Sequence, residues 1–252
     1  MKYRDLNLVS WDEDSYLVIS CDSAGGIGSK EGDVIKTEPK IVGYYTAQVA
    51  LMEMLSIGVY PFFLSNTLSV EMNPTGMEIL QGIKEALDVL DLGEKVEITG
   101  TTEENIHSTS TGVGITLMGR ILKKDFKSPK TYDQDLAVVV GIPVVGEGVL
   151  VEDDSTMFNL KAMGNIMGKD YIHEIVPGGS RGIAYEISQL ENRENLIFKK
   201  TNSENIDLTT SAGPATSVLI TLRKDNLEKL KKDLGMPIMI IGEFISREES
   251  ED

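Results

Sequence analysis

The chain is poor in the residues on which several enzyme classes depend. Its 252 residues include one cysteine and two histidines. A single cysteine, Cys21, closes no disulfide within the chain, which suits a reducing cytosol. It ends a β-like run beside Asp22, whose charge disfavours a thiolate, so it reads as a small buried residue and not as a nucleophile. With only His107 and His173, a histidine-rich metal site is excluded. His107 lies in a polar loop, where it either touches substrate or faces solvent. His173 alternates with apolar neighbours and reads as structural. No Gly-x-Ser-x-Gly elbow supports a serine hydrolase. Basic runs are also missing: Lys123-Lys124 and Lys231-Lys232 are short and flanked by acids, and the formal net charge is −16. Such a chain repels nucleic acid and anionic membranes. The most apolar stretch, Ile41 to Val59, contains Thr46, Gln48 and Glu53 and is followed by Pro61. It reads as a buried helix, not a membrane span. No charged-then-apolar leader opens the sequence. The expectation is a cytoplasmic protein with neither nucleic acid nor membrane as a partner.

What is present fits a globular α/β or α+β protein, with 41% hydrophobic and 25% charged residues. Strand-like and helical runs alternate. Tyr16–Asp22 is apolar and β-branched. Pro39 suits the first turn of a helix reaching about Ile57 and stopped by Gly58 and Pro61. Phe62–Val70 reads as a strand, Pro74–Leu90 as an amphipathic helix, and Val96–Gly100 and Thr111–Leu122 as strands. The polar, proline-containing stretch from Lys123 to Asp135 marks a domain boundary, giving domains over 1–125 and 135–252. In the second domain Leu136–Ile142, Tyr171–Val176, Ser217–Leu222 and Met236–Phe244 read as extended. Thr156–Met167, Arg181–Leu190 and Asn226–Leu234 read as helical. The acidic tail from Ser246 to Asp252 is expected to fray.

Three segments carry chemistry. The first, Asp22 to Asp33, places four glycines, Lys30 and three carboxylates directly after a strand. Backbone N–H groups around Gly25, Gly26, Gly28 and Ser29 suit an anion, Lys30 adds a positive point charge, and the acids offer hard oxygen ligands for Mg²⁺. Together they read as a polyphosphate site with its metal; the other reading is a glycine-rich turn with solvated charges. The spacing matches neither a Walker loop nor a dinucleotide fingerprint. The second is Glu53, the only charged side chain between Ile41 and Val70. On an apolar helix it must bind a cation, pair with a distant Lys or Arg, or face the surface. The third is Thr99-Gly100-Thr101-Thr102-Glu103-Glu104, where a strand runs into glycine, hydroxyls and acids. It reads as a rim for phosphate or Mg²⁺, or as a polar turn. Asn66, inside a strand, is either a polar handle on the same site or a surface residue. In the second half, Val144–Gly148 and Pro177–Gly182 are further glycine loops. The latter opens a helix, so its N–H groups and Arg181 would hold an anion if it is more than a tight turn.

The order of these motifs resembles the aminoimidazole ribonucleotide synthetase superfamily, which also includes thiamine-monophosphate kinase, selenophosphate synthetase and a hydrogenase maturation factor. The resemblance rests on Asp22 with Gly26-Ile-Gly-Ser-Lys30, on the helix end Glu53-Met-Leu-Ser-Ile-Gly58-Val-Tyr-Pro61, on Phe62-Phe-Leu-Ser-Asn66 and on Gly100-Thr-Thr-Glu-Glu104. Its specific part spans Ile19 to Gly119. The phrases Ser69–Gly76 and Thr102–Asn105 look most like the α-ribazole kinase branch, often labelled α-ribazole-5-phosphate synthase. The resemblance implies a two-domain PurM-like fold. Its N-terminal domain would bind ATP and Mg²⁺ and form a β-barrel with that of a second subunit, beside a C-terminal α/β domain. It implies a kinase that moves the γ-phosphoryl of ATP to the 5′-hydroxyl of a nucleoside-like acceptor, α-ribazole. Asp22, Glu53 and Glu104 would hold Mg²⁺. Asp22, Lys30 and Glu53 would carry catalysis. Gly25, Gly26, Gly28, Ser29, Lys30, Asn66, Gly100, Thr101 and Thr102 would hold the nucleotide. Asn66 and Thr101 stand where the family has acids, so the metal set is poorer here. Two other readings remain: another ATP-dependent enzyme of the superfamily, such as a cyclo-ligase, and a nucleotide-binding protein without catalysis.

Overall fold

The structure, a computed structural model, describes residues 1–153, 155–201 and 206–247. The end of the acidic tail, from 248 onward, lies outside the described residues. The chain forms two compact units, Met1–Phe126 and Lys127–Asp252.

The first unit contains β1 (Lys2–Tyr3), β2 (Leu6–Ser10), β3 (Ser15–Gly25), β4 (Ile27–Gly28), β5 (Ile35–Lys36), α1 (Pro39–Leu55), β6 (Pro61–Leu68), α2 (Met77–Asp88), β7 (Glu97–Thr101) and β8 (Gly112–Leu122). Six strands make one sheet in the order β1-β2-β3-β8-β6-β7, and β4 pairs with β5 beside it. This sheet is open, with β1 and β7 at its edges, and does not close into a barrel within the chain. Proline opens α1 where its missing N–H costs nothing. The helix lies on β3 and β8 and against α2. Between β6 and α2 the helix does not start at Pro74. Met72–Gly76 forms a wider π-type turn, in which the Gly76 N–H reaches the Glu71 carbonyl at 2.9 Å. Such turns recur at functional sites.

Alternation along β3 decides which side chains face α1. Ser20 donates to the Ala50 carbonyl of α1 at 2.9 Å, so Ser20 and, two residues on, Asp22 point to the helix-covered face. Cys21 therefore points the other way. It is exposed, 3.4 Å from the Thr116 hydroxyl, and the buried position read from the sequence is corrected. The run Tyr16–Asp22 is apolar on both sides, but only one side is covered.

The second unit contains β9 (Asp135–Val140), α3 (Gly148–Val151), α4 (Leu160–Ile166), β10 (Ile172–Pro177), α5 (Gly182–Glu194), β11 (Leu196–Lys200), β12 (Val218–Leu222), α6 (Leu227–Leu234) and β13 (Ile238–Ser246). Its five strands run in the order β10-β12-β9-β13-β11, antiparallel at every pairing. Ile183, Ile187 and Leu190 of α5 pack on Val139, Val176 and Leu219 of the sheet. The helix expected from Thr156 begins only at Leu160. The Asn159 side chain caps it by accepting from the Ala162 N–H at 3.0 Å, and the Phe158 N–H is committed to the Thr216 carbonyl.

Candidate functional site

Strands β3 and β6 both run antiparallel to β8, and β7 runs parallel to β6. The carboxyl ends of β3, β6 and β7 therefore open at one end of the sheet, where β8 begins. Four segments meet there: the glycine loop 25–33, the turn 69–76, the Thr101–Glu104 rim and the approach 108–111 to β8.

Asp33 organises this meeting point. It is buried, and its two oxygens accept from the Thr111 N–H (2.7 Å), the Thr111 hydroxyl (2.7 Å), the Ser110 hydroxyl (3.0 Å) and the Lys30 N–H (2.8 Å). Burial alone would raise its carboxyl, but the bonds from Thr111, Lys30 and Ser110 outweigh it and hold the group below the usual range. Gly28 stands directly against this network at φ +149°. A Cβ there would lie 2.8 Å from Asp33 Oδ2 and collide with the Thr111 hydroxyl. Other loop N–H groups are also committed: Gly26 to the Thr111 carbonyl at 2.9 Å and Gly32 to the Thr109 carbonyl at 2.6 Å. The Lys36 ammonium donates to the Lys30 and Glu31 carbonyls. The loop is thus a fixed element, not a slack turn.

Lys30 crosses from this loop to the turn after β6. Its Nζ lies 2.5 Å from Glu71 Oε2, and the other Glu71 oxygen accepts from the Thr75 hydroxyl at 2.5 Å. The Lys30 ammonium, and then the Thr75 hydroxyl, draw the Glu71 carboxyl down to about 2. The same turn is tied to the rim. Glu104 accepts from the Met72 N–H at 2.7 Å and the Thr102 hydroxyl at 2.9 Å, and the Glu103 N–H reaches the Val70 carbonyl at 3.0 Å.

A second group lies on the helix-covered face. Asp22 is in register with Ile115, Ile115 with Asn66, and Asn66 with Gly100, so the four form one row across the sheet. Asn66 is buried, not surface-facing. Its amide donates to the Thr99 carbonyl at 2.9 Å, and its side chain fills the space a Cβ at Gly100 would need. Burial pushes the Asp22 carboxyl up to about 6; the Ser23 N–H opposes that rise and the nearby Asp5 charge adds to it. Among the described residues no cation pairs with it.

The remaining candidates are dispersed. Glu53 sits on α1 with Oε2 4.0 Å from the Arg4 guanidinium, which also reaches Ser56. That is the distant cation which the sequence left as one reading. Thr101 is in register with Thr67, one residue beyond the Asn66–Gly100 pair, and so faces the opposite side of the sheet from Asn66. Among the described residues no group of three His, Cys, Asp or Glu side chains is gathered to hold a metal ion. Asp22, Glu53 and Glu104 are thus not a preformed set. His107 is exposed. In the second unit Arg181 stacks over the Tyr185 ring at 3.4 Å at the start of α5. His173 contacts buried Asp135 at 2.7 Å. No helix among the described residues is long and apolar enough to cross a membrane.

Sequence reasoning missed three acids: Asp5, Glu71, and the organising role of Asp33. Asp33 and Glu71 both lie in quoted phrases, but their partners are distant in sequence. Asp5 carries no local signal.

No protein-family model matches the sequence, and no curated protein matches it. Solved structures do. A thiamine-monophosphate kinase from Stenotrophomonas maltophilia aligns over 97% of this chain and 90% of its own, with a TM-score of 0.64 and 16% identity. AaThiL, solved with AMPPCP and TMP, aligns over 96% of this chain and 84% of its own, at 0.64 and 14%. PurL of T. maritima, solved with AMPPCP, aligns over 95% of this chain and 42% of its own, at 0.67 and 12%. At these identities the likeness is one of fold, and the chain has the mixed α/β, PurM-like fold of these proteins.

Proposed function

We propose that the chain is an ATP- and Mg²⁺-dependent phosphotransferase acting on a small nucleoside-like acceptor, in its narrowest form the 5′-hydroxyl of α-ribazole. One observation carries the reading. The glycine loop, its lysine and the acid- and hydroxyl-rich rim converge at one end of a sheet, and fold neighbours were solved with AMPPCP. The two phrases that resemble the α-ribazole branch are hydrogen-bonded to each other through Met72 and Glu104.

Phosphoryl transfer needs positioning and charge neutralisation more than covalent chemistry. The loop from Gly25 to Lys30 would lie against the phosphates, with Ser29, Gly100, Thr101 and Thr102 bordering them and Lys30 offsetting charge. The acceptor hydroxyl attacks the γ-phosphorus as the bond to the bridging oxygen breaks. ADP leaves and the hydroxyl proton passes to solvent. Asp22 suits Mg²⁺: it offers hard carboxylate oxygens, and a carboxyl raised to about 6 beside Asp5 is relieved by a cation. Asp22 would hold the ion, with Glu53 and Glu104 as further ligands if Arg4 and Met72 release them. Bound Mg²⁺ supplies charge neutralisation on the phosphates. A second copy of the chain would close the open sheet into the barrel of a homodimer.

Mass spectrometry of α-ribazole incubated with the protein, ATP and Mg²⁺ tests the reading. A gain of one phosphate, absent with Asp22→Asn, is the expected result. No phosphorylated product from α-ribazole, with ADP still formed when thiamine monophosphate is supplied, would overturn the acceptor. No ADP with either would overturn the kinase.

A further inference from the structure

We propose that Glu71 is a positioning residue for Lys30, holding its ammonium ready for a polyphosphate and acting on the nucleotide only through it. The inference rests on the phosphotransferase reading. Lys30 is far from slack: its side chain is 14% exposed and its Nζ sits 2.5 Å from Glu71. A lysine carries about 2 kcal/mol of rotamer entropy, and a fixed partner removes that loss before the ligand arrives. An ammonium has three N–H donors, so one bond to Glu71 leaves two for phosphate oxygens. Glu71 is itself held. Thr75 occupies its second oxygen, and its carbonyl anchors the π-type turn through the Gly76 N–H. The pair bridges 41 positions of sequence and joins the loop after β3 to the turn after β6. Protein kinases likewise require a glutamate to hold their phosphate-contacting lysine, on an unrelated fold.

A double-mutant cycle decides it. Equilibrium binding of Mg-ATP is measured for the wild type, Lys30→Met, Glu71→Gln and the double variant, with melting temperatures to show that each is folded. Lys30→Met is expected to weaken binding about 10- to 100-fold, the weight of one charge-assisted contact. Glu71→Gln should produce most of that loss alone and less than about a twofold change in the Lys30→Met background. If Glu71→Gln does not fold, Thr75→Val loosens the same carboxylate and should give a smaller loss that also vanishes without Lys30. Additive losses, or tighter binding by Glu71→Gln, would overturn the proposal. So would unchanged binding by Lys30→Met, with the phosphotransferase reading left standing. A wild type that does not bind Mg-ATP would overturn both.

Discussion

Two carboxylates, half-buried Asp22 in the first unit and buried Asp135 in the second, sit on sheet strands, and their surroundings differ. Asp135 is fully buried and paired with cations, although its Oδ1 accepts no hydrogen bond among the described residues. The Tyr132 N–H donates to it at 2.8 Å, His173 lies at 2.7 Å and Arg223 at 3.6 Å. Its neighbour Glu174 takes two bonds from Arg193 at 2.6 and 2.5 Å and one from Thr131 at 3.0 Å. Asp22 has the Ser23 N–H, the repulsion of Asp5, and no cation among the described residues. An acid that the fold pairs with cations serves the fold; an acid whose charge the fold leaves unpaired is a candidate for a place where a ligand supplies the missing charge. On that contrast the polar network of the second unit is structural, and the end of the sheet near Asp22 is the candidate site.

The contrast can be broken by mutation, with the largest effect at Asp135. Asp135→Ala removes the hydrogen-bonded partner of His173 and of the Tyr132 N–H and should cost about 3 kcal/mol, read as a lowered melting temperature. A loss under about 1 kcal/mol would mean the network does little for stability. Asp22→Asn should do the opposite. An Asp of ordinary value 3.8, held at about 6 in the folded state, stabilises the fold below pH 3.8, and that contribution is lost as pH rises through about 6. Removing the charge should therefore raise stability at pH 8 by up to about 3 kcal/mol and change little at pH 3.5. Melting curves at the two values check it, and a variant less stable at pH 8 would place Asp22 with the structural acids. Gly28→Ala sits at φ +149° against Asp33 and Thr111 and should cost about 1–3 kcal/mol of local strain. Proteolysis of the 25–33 loop should accelerate; an unchanged cleavage rate would show that the loop yields freely. Cys21→Ala, on the face left exposed in the single chain, should move the stability of the monomer by no more than about 0.5 kcal/mol. A loss above 2 kcal/mol by denaturant unfolding would show that this face is covered in solution.

Much of the architecture was legible because it is written locally. Pro39 and the apolar run after it mark α1, and the alternation Val113, Ile115, Leu117 marks β8. Strands at or next to a sheet edge were missed: Lys2–Tyr3 and Leu6–Ser10 are short and mixed in character, as is Leu196–Lys200. The helix start expected at Thr156 and the buried position expected for Cys21 failed for a shared reason. Tertiary partners, the Thr216 carbonyl in one case and a one-sided cover of helices in the other, overrode the local pattern. At the candidate site the sequence supplied the glycines, Lys30 and the rim. It did not supply their connections: Lys30 to Glu71, Asp33 to Thr111 and Glu104 to Met72 each cross 32 or more positions. Glu53 shows the converse, since a lone charge in an apolar helix is visible in sequence while its partner, Arg4, is not.

The most direct test of the candidate site is calorimetric titration of Mg-ATP into the wild type and into Asp22→Asn at pH 7.5. The account predicts binding by the wild type and a loss on the order of 10²-fold or more for Asp22→Asn, in a protein at least as stable as its parent. Equal binding by the two would contradict it.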